Sequence, residues 1–164
     1  MNSLLETHAE VAAVLAGFAS IAAVLRRPLS PVELQRFFSL LFAALIQIVV
    51  CLVPVWLSII NVTGVALWRS AALIALILTL AHMMFLIIIP MRALGATNLT
   101  IINAPVNYAI FAMSVVVLGS LVLTIIGVPI APGFALYYLA CLFGLIICFF
   151  VFADLVIRGE DQAK

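Results

Sequence analysis

The chain has 164 residues, of which 68% are hydrophobic and 8% charged, and its net charge is +1. A soluble domain carries charge on roughly a quarter of its residues, so this composition excludes a water-soluble globular fold. The charges fall between long apolar runs with short connections, which leaves room for neither a soluble catalytic module nor a nucleic-acid surface.

The pattern predicts an all-α polytopic membrane helix bundle: one transmembrane helical domain over residues 1–164 with five transmembrane helices. The first apolar run, residues 11–25, is free of charge but short. It reaches spanning length only when counted from about Thr7, which takes in Glu10. Its apolar character covers every face, which favours a span over an interfacial helix. The count falls to four if this segment does not cross. A cleaved signal peptide fits poorly, because Glu6, His8 and Glu10 precede the run where basic residues belong, and Arg26-Arg27-Pro28 follows it. The four later runs, 37–60, 67–90, 104–126 and 134–157, each exceed the ~20 residues that cross a ~30 Å hydrocarbon core. The expected spans are about 8–26, 37–60, 67–91, 104–126 and 134–157.

The connections carry ordinary punctuation. Ser30 is a cap for the second helix, with Pro31 at its first position and Glu33 three residues after the cap. Residues 61–64, 95–98 and 127–133 make the other turns. With five spans, Arg26, Arg27, Arg36, Arg92, Arg158 and Lys164 fall on one side and Arg69 on the other. The positive-inside rule then predicts a multi-pass protein of the cell inner membrane, N-terminus outside and C-terminus cytoplasmic. No internal repeat stands out, which disfavours an inverted-repeat transporter.

Placed at about 100° per residue, the polar groups sort onto single faces. On the first helix, Glu10, Val14, Phe18, Ile21 and Leu25 share an arc of about 80°, and Ala9, Ala12, Ala13, Ala16, Gly17, Ser20 and Ala23 fill the neighbouring arc. Ala13-x-x-x-Gly17 and Ala16-x-x-x-Ser20 are small-x-x-x-small spacings that let helix backbones approach closely, including copies of the same helix. The second helix has the stripe Ser39, Ala43, Gln47, Cys51, Pro54, Ser58 and Asn61; the third has Ala71, Ala75, Thr79 and His82. Asn103, Asn107 and Ser114 align on the fourth, and Tyr137, Cys141, Gly144 and Cys148 on the fifth. Lipid takes the Leu, Ile, Val and Phe faces, so these stripes should face protein. Their plain role is interhelical packing and hydrogen bonding. Cys51, Cys141 and Cys148 match no zinc spacing and read as small apolar packers.

Gln47, His82 and Ser114 fall at similar depth and are expected to form an intramembrane polar cluster. His82 is then either a neutral imidazole bonded to Gln47 or Ser114, or a proton-sensing or ion-contacting group. No His-rich box, paired aspartates or Ser/Lys dyad is present, so no catalytic residue, cofactor or metal is expected and the chain reads as a non-enzyme. If copies of the first helix ring an axis, Glu10 forms an acidic collar, Val14, Phe18 and Ile21 an apolar constriction, and Arg26 with Arg27 a basic exit. Carboxylate rings select cations and apolar constrictions gate by dewetting. In the plainer alternative, Glu10 sits at headgroup level and the large residues touch lipid or other helices.

The stretch from Glu10 to Leu25, followed by Arg26-Arg27 and a second helix led by Arg36, resembles small multi-pass bacterial membrane proteins to which no activity is attached. Gly17-Phe18, between an acidic and a basic end, is similar to the pore helix of the Orai family of calcium channels. There the acidic end follows the Gly-Phe pair; here it precedes it, so the helix would run the opposite way. The leading functional expectation is a homo-oligomeric, channel-like protein conducting cations or protons, with the lipid bilayer and further copies of itself as partners. The alternative is a non-catalytic structural or accessory subunit docked on partner membrane subunits.

Overall fold

The computed structural model describes residues 2–25, 31–94, 104–128 and 132–161. Those residues form five helices: α1 (Asn2–Leu25), α2 (Pro31–Ile59), α3 (Gly64–Leu94), α4 (Ala104–Ile126) and α5 (Gly133–Asp161). Each contains a stretch long and apolar enough to cross a membrane: Ser3–Ile21, Phe37–Ile59, Gly64–Met84, Tyr108–Ile126 and Gly133–Ala153. The chain is an all-α bundle and an integral membrane protein. The short first apolar run is carried on a continuous helix of 24 residues, about 36 Å long at ~1.5 Å per residue, which exceeds the ~30 Å core.

Local chemistry explains the described helix ends. Pro31 opens α2, where its fixed φ suits the first turn and its missing N–H leaves no donor unsatisfied. The cap assigned to Ser30 lies outside the described residues. α2 ends when Asn61 takes a left-handed conformation, φ 63°. The Val62 N–H then reaches back to the Leu57 carbonyl at 3.0 Å, closing the last turn as such caps do. α4 closes the same way: Gly127 has φ 76°, and the N–H groups of Gly127 and Val128 both donate to the Leu123 carbonyl. The Pro132 carbonyl accepts from Ala135 and Leu136 and starts α5.

α5 is the hub. It packs against all four other helices, whereas among the described residues α1 touches α2 and α5 but not α3 or α4. The centre is built from small side chains: Ala9, Ala12, Ala71, Ala75, Ala140, Cys51 and Cys141 are buried. Lipid is as apolar as such a core, so burial of hydrocarbon does not drive these helices together; close van der Waals contact and interhelical hydrogen bonds do. Large apolar side chains such as Ile59, Ile77, Phe111 and Ile126 are exposed on the outside, where lipid meets them.

Candidate functional site

α1 has two faces with different tasks. Leu5, His8, Ala9, Ala12 and Ala19 are buried against the bundle. At about 100° per residue, Glu10, Val14, Gly17 and Ile21 point almost directly away from that side. Val14 is 54% exposed, Phe18 58% and Ile21 57%, and Glu10 and Ala13 are exposed with them. A Cβ added at Gly17 would meet nothing within 4 Å. Close packing inside the chain therefore uses Ala9, Ala12 and Ala19, and the Ala13/Gly17 spacing is left open. Ala16 and Ser20 lie at the border, half-buried, with the Ser20 hydroxyl donating to the Ala16 carbonyl at 2.8 Å within its own helix. The small-residue arc is thus divided between the bundle and the outside.

His8 takes a role that the sequence reading missed. It is buried, with Nδ1 2.8 Å from the Leu4 carbonyl oxygen, and its ring meets Tyr138 of α5 edge-on at 4.9 Å. Its Nε2 is buried without a hydrogen-bond partner. Glu6 and Glu10 on either side give this segment the look of a polar headgroup tail. The signal lay in the angle: three residues after Leu5, His8 falls on the inward face.

Beneath α1, the stripes of α2 and α5 meet. The Gln47 amide is buried and its Nε2 donates to the Cys141 carbonyl at 2.6 Å, with the Cys51 sulfur 3.6 Å away. Gly144 makes the space; a Cβ there would run into the Gln47 side-chain oxygen. Cys51, Cys141 and Cys148 are buried free thiols. One turn along, Tyr137 donates its hydroxyl to the Val50 carbonyl at 2.6 Å. That carbonyl is available because Pro54 lies inside α2 and has no N–H to return to the residue four positions earlier. In hydrocarbon a lone backbone carbonyl is costly, and the tyrosine answers it.

Gln47 and Ser114 are both buried, on α2 and α4, while His82 is half-buried on α3. No hydrogen bond among the described residues joins these three; the Gln47 amide turns to α5 instead. The inward stripe of α3 is buried at Ala71 and Ala75 and opens toward its end at His82. The side chains of Asn103 and Asn107 lie outside the described residues. Among the described residues no group of three His, Cys, Asp or Glu side chains gathers as a metal site would require. The seam's amide and phenol donors go to backbone carbonyls, and the amide also to the Cys51 sulfur, which is packing chemistry. The open stripe of α1 carries Glu10, whose carboxylate pairs with no other described residue. Comparison with protein-family models, curated proteins and solved structures finds no match to this chain.

Proposed function

We propose that this protein is a homo-oligomeric, channel-like protein of the cell inner membrane, N-terminus outside and C-terminus cytoplasmic, in which α1 lines or flanks a central pathway for cations or protons. The observation that carries this reading is Glu10. It stands within the candidate span that begins at Ser3, about 10 Å along the helix at ~1.5 Å per residue. It is exposed on the face of α1 opposite the bundle, and no ion pair or hydrogen bond of the described residues engages it. A carboxylate at that depth is costly beside lipid and stable beside water or a cation. Copies of the Ala13/Gly17 face brought together would set Glu10 around such a vestibule, above Val14, Phe18 and Ile21.

The same carboxylate supports a second reading. A ring of like charges repels unless a cation enters it, whereas a different subunit could present a donor to each Glu10. That is the accessory-subunit alternative. Protein purified alone and placed in nanodiscs should show one defined oligomer by mass measurement. A monomer would put the accessory subunit first.

A further inference from the structure

The start of α3, the end of α4 and the start of α5 border a cleft of about 490 Å³ lined by Val65, Trp68, Arg69, Thr124, Gly127 and Phe134 among others. Its walls are mainly apolar and aromatic, and Trp68 stands 6.3 Å from the ring of Phe134 and 5.8 Å from that of Tyr137. Arg69 supplies its charge. The guanidinium lies across the end of α4, with Nη2 3.4 Å from the Ile126 carbonyl oxygen. Gly127 leaves the room for it: any side chain there would strike the guanidinium. One long bond engages one of the five N–H donors that an arginine carries.

No acidic residue occurs in residues 59–69 or 123–136, and no carboxylate of the described residues pairs with Arg69. Of the other basic residues, Arg36 lies near the start of α2, and Arg92 and Arg158 near the ends of α3 and α5, whereas Arg69 lies near the start of α3. The cleft therefore sits at the level of helix termini, where headgroups meet the hydrocarbon, with an arginine at its edge and tryptophan and phenylalanine along its wall. Tryptophan favours that depth, and the arginine fork matches a phosphate.

We infer that this cleft binds an anionic phospholipid, with the headgroup phosphate on Arg69 and an acyl chain along Trp68 and Phe134. The lipid phosphate supplies the acceptors that the guanidinium lacks, and the tail fills an apolar space that water would fill poorly.

Trp68 reports on the site once Trp56, the only other tryptophan, is replaced in a Trp56→Phe background. In nanodiscs, brominated phosphatidylglycerol should quench Trp68 as though enriched about fivefold over brominated phosphatidylcholine, the preference one interfacial arginine confers. Arg69→Gln should abolish that preference while circular dichroism stays helical, and Arg69→Lys should retain most of it. Equal quenching by the two lipids in the Trp56→Phe protein would overturn the proposal, as would a preference unchanged by Arg69→Gln. Displacement of the lipid by millimolar inorganic phosphate would also overturn it, in favour of a soluble anion as the occupant.

Discussion

Tyr137 and Pro54 belong to different helices, yet both act on one atom, the carbonyl oxygen of Val50. Tyr137→Phe removes the hydroxyl that donates to that carbonyl from across the helix interface, where Pro54 has no N–H to replace it. An unmet buried acceptor costs about 1–3 kcal/mol in general, while interhelical hydrogen bonds measured in membranes average about 0.6 kcal/mol. We expect a loss of about 1 kcal/mol in reversible unfolding from detergent. In a Pro54→Ala background the helix regains its own N–H at position 54, and Tyr137→Phe should then be nearly neutral. Equal costs in the two backgrounds would show that the tyrosine contributes by packing alone. Both residues stood on inward stripes in the sequence, so their placement was legible. Their coupling was not, because it depends on which carbonyl faces α5, and a stripe does not specify that. His8 was hidden for another reason, since its polar neighbours Glu6 and Glu10 lie on outer angles of the same helix.

At the scale of the element, α1 separates what holds the chain together from what the chain offers to others. Ala12 is fully buried, so Ala12→Leu forces α1 away from α2 and α5, at about 1–3 kcal/mol for overpacking. Gly17 faces open space, so Gly17→Leu should leave the stability of one chain within about 0.5 kcal/mol of the parent. It should nevertheless reduce the oligomer mass in nanodiscs, because helices crossing at glycine cannot approach around leucine. An oligomer unchanged by Gly17→Leu removes this face from the interface. The inward faces of α2 and α5 were readable from small and polar residues, since hydrophobicity itself does not distinguish lipid from core. On α1 that signal was ambiguous: small residues cover both the side that packs and the side that stays open. Depth placed Gln47 level with His82 and Ser114, but depth alone does not say which of the neighbouring helices α1, α3 and α5 receives the amide's hydrogen bond. The small Gly144, which admits the amide, is what directs it to α5.

For the whole molecule, five spans set the termini on opposite sides, and labelling of single cysteines at Ser3 and Ala163 should find the first outside and the second cytoplasmic. Both termini on one side would mean that α1 does not cross. With α5 in contact with every other helix and α1 at the margin, a pathway through a single chain would have to cross the packed alanine and cysteine centre. A pathway between chains meets no such obstacle, and on the α1 face a carboxylate that no other described residue pairs lies in line with an apolar stripe. A hydrophobic constriction holds a narrow passage dry, and a polar substitution wets it. Phe18→Ser should therefore raise cation flux into liposomes. Glu10→Gln should lower flux and weaken the preference for cations, because a carboxylate at the mouth concentrates them. If neither the parent nor Phe18→Ser conducts, α1 does not line a pathway, and its open face is left as a docking surface for another membrane subunit.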